Sequence, residues 1–555
     1  MDLKEKLKTV IQGEVEDDKK TLAYYSRDAS LFEIKPEVVA FPKDTEDLKS
    51  LVKFASGERR AGKKIYLTAR SGGTDMTGGP LGESIIVDFA RHFNRIDDVE
   101  KQPHTAQGFA GQVLAEPGVF YRDFERETLK HNLLLPSFPA SREICTVGGM
   151  VATNAGGEKT LAYGKTNRYV KGLKVVLSDG KEYAMHPLEQ YELDAKLKLD
   201  NFEGEIYRGT YEIVNKNYDL LQRARPKVHK NSAGYALWDV WNREIFDLTQ
   251  LFTGSQGTLG LITKIKFELV EPKAHSKMLI IFLRDLKPLA RIVNRLLEYG
   301  PETFESYDDH TLKLAIRFLP QFARLLKGGL FSIAWKFLPE IGMILTGGVP
   351  KLILTAEFTG EGEDEVKAKI SRARESIKEF SVKTRMTKTS IEMEKYHLIR
   401  RESFNLLRHK IKKKQTAPFI DDIIVPPETL PEFLPQLEEI MKKYDLIYTI
   451  AGHVGDGNFH IIPLMDLSKK DAKEVIHKLT DEVYRLVFEY GGSMTAEHND
   501  GLIRSPYLKQ MYGEEVYKLF EEVKRVFDPD NIFNPGKKVG ANLEYALAHL
   551  KHSGK

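Results

Sequence analysis

Short runs of β-branched and aromatic residues punctuate the first half of the chain: VVAFP from Val38, KIYLTA from Lys64, SIIVDF from Ser84, GLKVVLSDG from Gly172 and LGLITKIKFELV from Leu259. Between them lie stretches with helical spacing and glycine-rich turns, so residues 35–270 read as an α+β domain. From Ser276 the texture changes. KMLIIFL precedes the amphipathic DLKPLARIVNRLLEYG, and LILTAEFTG precedes EDEVKAKISRARESIKEF. These two strand-then-helix units predict a sheet with helices on one face over residues 271–467. Residues 1–34 read as an opening helical segment and 468–555 as a mostly helical close that ends in VFDPDNIFNPGKK. No sequence repeat and no low-complexity linker interrupts the pattern.

The longest apolar stretch, Phe318 to Thr346, is broken by Arg324, Lys327, Lys336 and Glu340. It therefore lacks the about 18 to 20 uncharged residues that cross a bilayer. Two readings of residues 318–346 stay open: a segment lying in a membrane surface, or a buried helical pair bent at Gly328-Gly329 and Pro339. The 555 residues are 41% hydrophobic and 29% charged, as in a soluble globular protein of two or three domains that can bury a large cofactor. A formal charge of +3 does not call for a nucleic-acid partner. One cysteine, Cys145, excludes internal disulfides and a Cys-ligated iron–sulfur cluster in this chain. The opening MDLKEKLKTVIQGEVEDDKK has no apolar core of a signal peptide, so a cytoplasmic location is expected, with a peripheral contact at the inner membrane face left open by 318–346.

Three segments are rich in glycine: RSGGTDMTGG (Arg70 to Gly79), TVGGMVATNAGG (Thr146 to Gly157) and GSQGTLG (Gly254 to Gly260). Such backbone lets N–H groups converge on anionic phosphates without obstruction by Cβ. No GxGxxG links a strand to a helix, which disfavours a Rossmann site, and Thr253 spoils a GxSxG nucleophile elbow. In GHVGDGNFH, a two-residue turn at Asp456-Gly457 would pair His453 with His460. Facing imidazoles suit one metal ion or, equally, two partly buried histidines bonded to backbone. A metal needs a further ligand, and MTAEHNDG offers Glu497, followed at once by His498.

The ordered series RSGGTD, PASREICTVGGMVATNAGG, YGKT, GSQGTLGLIT, GHVGDGNFH, AEH and NPGKK resembles the FAD-linked oxidase family of vanillyl-alcohol-oxidase-like fold. Within it the chain is most similar to the branch of D-lactate, D-2-hydroxyglutarate and glycolate dehydrogenases. The resemblance covers roughly Tyr25 to Lys538 and implies a two-part FAD-binding domain of PCMH type, a cap domain with an antiparallel sheet and helices, and a helical C-terminal segment. Carried over, the pyrophosphate loop is Arg70, Ser71, Gly72, Gly73 and Thr74 with Gly78. A second strip holds Pro139, Ser141, Thr146, Gly148, Gly149, Asn154, Gly156, Gly157 and Gly164. Gly257, Gly260 and Ile262 match the adenosine side, and Asn534 the terminal NPGK contact. The chain departs from many relatives at Gln256, where they have Glu, and at Asn499, where they have Gly. No histidine stands in the pyrophosphate loop, so noncovalent FAD is expected.

The resemblance further implies that His453, His460 and Glu497 bind a divalent metal, zinc or manganese, that His498 is the catalytic base, and that Arg401 anchors the substrate carboxylate. Oxidation of a D-2-hydroxy acid to the 2-oxo acid would follow, with hydride passing to flavin N5. Relatives acting on D-2-hydroxyglutarate have polar residues where this chain has Ile420 and Ile462, which points to a D-lactate-like substrate. A separate electron acceptor is expected: an iron–sulfur protein, a quinone, a cytochrome or an electron-transfer flavoprotein. A homodimer stays open. The alternatives are a non-redox synthase of ether-lipid type with the same fold, and a flavin-binding electron-transfer subunit.

Overall fold

The computed structural model describes residues 2–309, 350–399 and 414–551. The apolar segment 318–346 and Arg401 lie outside the described residues. The chain is α+β, and three larger sheets among the described residues organise it.

In the first sheet Val38–Phe41, Ile85–Asp88 and Leu67–Arg70 run parallel in that order, and Glu14–Glu16 adds an antiparallel edge. Val38–Phe41 and Ile85–Asp88 are buried at every position, which is why these runs are apolar, Asp88 apart, instead of alternating. Helix Thr45–Arg60 starts where the Asp44 carboxylate accepts from the N–H groups of Glu46 and Asp47 at 2.9 and 3.1 Å. Leu67–Arg70 runs straight into RSGGTD, so that loop leaves the carboxyl end of a parallel strand.

The second sheet has five antiparallel strands in the order Glu100–Lys101, Gly111–Ala115, Leu261–Leu269, Val170–Val176 and Glu182–Met185. Leu261–Leu269 buries every second residue, so one face packs on the core. Helix Val147–Thr153 begins at Thr146, whose hydroxyl accepts from Gly149 N–H at 3.2 Å, and ends at Asn154 in the left-handed region, φ 50°.

The third sheet is antiparallel and eight-stranded. Its centre pairs His275–Leu283 with Leu352–Gly360 and then Thr303–Asp308, Ile447–His453 and Asn458–Met465. Leu279, Ile281 and Leu354 share one hydrophobic core with Ile292, Ile370, Leu437 and Val483 from the helices Leu289–Leu297, Glu363–Ser376, Leu430–Lys442 and Ala472–Glu489.

The hairpin departs from the expected register. Val454–Asp456 forms a 3₁₀ turn and Gly457 takes φ 74°, so His453 pairs with Asn458 and His460 with Ala451. The reason is tertiary: the buried Asp456 carboxylate is engaged by His229 and Lys230, and Val425 N–H donates to Gly457 O at 3.1 Å. These contacts override the local Asp-Gly preference. Because the displacement is even, side-chain parity survives. His453 and His460 are diagonal neighbours on one face, with ring centroids 5.3 Å apart.

The C-terminal part returns to the first sheet. After helix Leu508–Phe527, Phe533 bridges Leu67, and Asn534 donates through Nδ2 to Gly79 O at 3.0 Å and to Gln256 O at 2.8 Å. Among the described residues no helix is long and apolar enough to cross a membrane.

Candidate active site

The three glycine-rich segments, far apart in sequence, converge on a cavity of about 840 Å³. Arg70, Ser71, Gly72, Gly73, Thr74, Pro139, Ser141, Thr146, Gly148, Gly149, Gly156, Gly257, Gly260 and Ile262 line it. Gly78, Asn154, Gly157, Gly164 and Asn534 are not in its wall and shape the loops behind it. Asn154 caps a helix and accepts from Asn167 N–H at 3.0 Å, while a Cβ at Gly157 would fall 2.1 Å from Phe138 O. Gly73 has φ 64°, and a Cβ there would meet the Arg70 guanidinium at 2.5 Å. Arg70 itself is buried, donates to Tyr25 O at 3.2 Å and lies 5.1 Å from the centre of the Tyr25 ring.

Side chains tie the segments together. Ser71 and Thr146 share a hydroxyl hydrogen bond of 2.5 Å. Gln256 donates to Asp75 at 3.1 Å and accepts from Gly501 N–H at 2.8 Å, a pairing that suits an amide. Asn499, at φ 72°, keeps the left-handed turn and donates to Thr153 O and Gly254 O at 3.0 and 2.9 Å.

The other end of the cavity holds His453, His460, Glu497 and His498, brought together from the hairpin and the MTAEHNDG segment. Glu497 Oε1 lies 3.1 Å from His453 Nε2 and 3.5 Å from His460 Nε2. The second ring nitrogens are also held: His453 Nδ1 by Glu305 at 2.7 Å and His460 Nδ1 by Asp421 at 3.1 Å. The opposite oxygen of Asp421 is 2.9 Å from His498 Nδ1, and the His460 and His498 rings stack at 5.0 Å. One ligand-type atom each from Asp422, His460, Glu497 and His498 lie within 4.8 Å of one another.

The electrostatics follow from burial and pairing. Burial alone would lower the His460 imidazole, but Asp421 and Glu497 push it up to about 10. Burial also opposes the charge on His498, yet Asp422 and Asp421 raise it. For Asp421 desolvation is outweighed by His498 and His460, which hold the carboxyl below its usual range. For Glu497 it is outweighed by Lys230 and His453.

Sequence reasoning missed Asp421, Asp422, Glu305 and Lys230. Asp422 Oδ2 accepts from Thr495 Oγ1 at 2.6 Å and from the N–H groups of Glu497 and His498 at 2.9 and 2.7 Å, so it holds the backbone that carries both side chains. The signal was present: two adjacent carboxylates inside the apolar run PFIDDIIV imply buried partners. Ile462 lines the cavity beside Thr449, Ala451 and Leu398. Ile420, expected there, is instead fully buried in the core of the third sheet.

Residues 36–185 match the model of an FAD binding domain, and residues 272–538 that of the FAD linked oxidases, C-terminal domain. The chain belongs to the FAD-linked oxidase family. Among its relatives are D-2-hydroxyglutarate dehydrogenases, a glycolate oxidase subunit and D-lactate dehydrogenases. The chain is 28% identical over 523 residues to D-2-hydroxyglutarate dehydrogenase of Escherichia coli strain K12, covering 92% of the chain and 49% of the relative. The chain thus spans about half the length of several curated relatives it matches. It is 28% identical over 547 residues to glycolate oxidase subunit GlcD of Bacillus subtilis strain 168, covering 97% of the chain and 96% of that protein. Among solved structures, 4-ethylphenol oxidase from Gulosibacter chungangensis shares the fold, with a TM-score of 0.65 at 16% identity over 96% of each chain.

Proposed function

We propose that the protein oxidises a D-2-hydroxy acid to the 2-oxo acid with noncovalent FAD and a divalent cation, and that its substrate is D-lactate-like. The observation that carries the reading is the meeting, at one end of the cavity formed by the glycine-rich loops, of the buried His453 and Glu497 with the half-buried His460 and His498. The donor set fits a zinc or manganese ion. Glu305 and Asp421 hold the two Nδ1 atoms, so each Nε2 is left as the ligand atom, and both converge on one carboxylate oxygen. The cavity, floored by glycines where a side chain would intrude, fits FAD.

When bound, FAD supplies the hydride acceptor and the cation supplies Lewis-acid polarisation of the substrate hydroxyl. The chain's own residues do the rest. His498 takes the hydroxyl proton at Nε2, because Nδ1 is turned to the Asp421 carboxylate 2.9 Å away. Asp421 lies between His460 and His498 and stabilises the charge that arrives on the imidazole. Asp422 keeps Glu497 and His498 in register through their N–H groups. Ile462, on the same face as His460, makes the wall beyond it apolar and disfavours a second carboxylate on the substrate. With Cys145 as its one cysteine, the chain passes electrons to a separate acceptor.

The test is anaerobic mixing of the purified flavoprotein with a panel of D- and L-2-hydroxy acids. Bleaching of the flavin by D-lactate and D-2-hydroxybutyrate is expected. Bleaching by none of the D-acids, or by the L-enantiomers alone, would refute the reading.

A further inference from the structure

Lys230 is fully buried, with Nζ 3.0 Å from Asp456 Oδ2 and 3.2 Å from Glu497 Oε2. Glu497 is thereby divided. Oε1 faces the two histidine Nε2 atoms, whereas Oε2 is turned to an ammonium group. Gly156 leaves room for Oε2 in this position, since a Cβ there would come within 3.0 Å of it. Asp456 completes the arrangement: its second oxygen is taken by His229, and it balances a cation that would be costly to bury alone.

We infer that Lys230 is a positioning residue that limits Glu497 to one-oxygen ligation of a divalent cation, keeping adjacent coordination positions open for a chelating 2-hydroxy acid. This rests on the proposed metal-dependent reading. Two consequences follow from geometry and charge. A carboxylate with both oxygens free can close on the ion and fill a position that the substrate hydroxyl or carboxylate needs. The ammonium, shared with Asp456, also offsets part of the charge of Glu497, so the ion keeps more of its positive charge for an anionic substrate. Lys230 therefore weakens ion binding and strengthens substrate binding. A lysine that only supported the fold would move both in the same direction.

The experiment titrates Mn²⁺ into the metal-depleted, FAD-loaded protein, with free Mn²⁺ read by electron paramagnetic resonance, and measures KM and kcat for D-lactate. The variants are Lys230→Met, Lys230→Arg, Asp456→Asn and the double variant Lys230→Met with Asp456→Asn, which leaves no lone buried carboxylate at 456. In the double variant Mn²⁺ is expected to bind about tenfold tighter and KM to rise about tenfold, with the flavin spectrum unchanged. Lys230→Arg should restore both values in part. Asp456→Asn leaves the ammonium wholly to Glu497 and should weaken Mn²⁺ binding about threefold. Mn²⁺ binding in the double variant that is equal to or weaker than wild type, with FAD retained, overturns the inference. If the Lys230 variants do not fold, Asp456→Asn decides, and unchanged or tighter Mn²⁺ binding there overturns it. Wild-type protein that takes up no Mn²⁺ removes the metal reading itself, an outcome separable from the others.

Discussion

Replacing Asp422 by Asn tests how far the active-site geometry depends on one buried charge. The variant keeps the volume of a fully buried side chain, and its φ of 67° is one that Asn tolerates, so packing and backbone strain are held nearly constant. Asp422 Oδ2 accepts three hydrogen bonds, from Thr495 Oγ1, Glu497 N–H and His498 N–H, and Oδ1 accepts from Asn458 Nδ2 at 3.2 Å. The least costly amide orientation puts its oxygen toward the three donors and its NH₂ against that of Asn458. A bond to a charged acceptor contributes about 1 kcal/mol more than a neutral one, so three bonds lose about 3 kcal/mol, and the donor–donor contact costs about 1 more. The expected destabilisation is about 4 kcal/mol, a large part of typical native stability of about 5 to 15 kcal/mol. If the two backbone bonds to Glu497 and His498 carry through to the transition state, kcat/KM falls about thirtyfold. Thermal unfolding followed by flavin fluorescence should show an earlier release of the cofactor, and steady-state turnover should show the loss of rate. A variant with a wild-type midpoint and kcat/KM within twofold would show that Asp422 does not hold the segment in place.

Three further outcomes are expected. Ile462→Asn puts an amide beyond His460 on the same sheet face, opposite Thr449, and should raise kcat/KM for D-2-hydroxyglutarate relative to D-lactate about tenfold; an unchanged ratio would place the substrate side chain elsewhere. His460→Ala should strip the divalent cation, measured by elemental analysis after dialysis, while FAD stays bound, and full turnover without metal would contradict the ligand assignment. Acid precipitation should release the yellow chromophore, since no histidine stands between Arg70 and Gly79; colour retained in the pellet would mean covalent flavin.

The glycine-rich loops are legible in the sequence because backbone freedom is written locally, as at Gly73, where no other residue fits both the left-handed φ and the nearby guanidinium. The histidine pair is legible for a weaker reason. Its register is set by Asp456 meeting His229 and Lys230, contacts that no turn preference encodes, and the shared face survives because strand parity does. The partners of the charged groups are the part that sequence conceals. Lys230 and Glu497 are 267 residues apart, and Ile420 and Asp421 are adjacent, yet one is core and the other cavity wall. Alternation along a short irregular segment decides that, and composition does not report it.

The latch made by Asn534 sets an order of events during synthesis. The cavity loops at Gly79 and Gln256 are joined through a side chain that emerges from the ribosome 455 and 278 residues after them. The wall between these loops lacks this link until residue 534 has been translated and has reached the edge of Leu67–Arg70. Closing of the cavity wall by Asn534 is therefore a late step, and a message truncated shortly before that codon would yield a chain with every glycine loop present and without the side chain that joins Gly79 to Gln256.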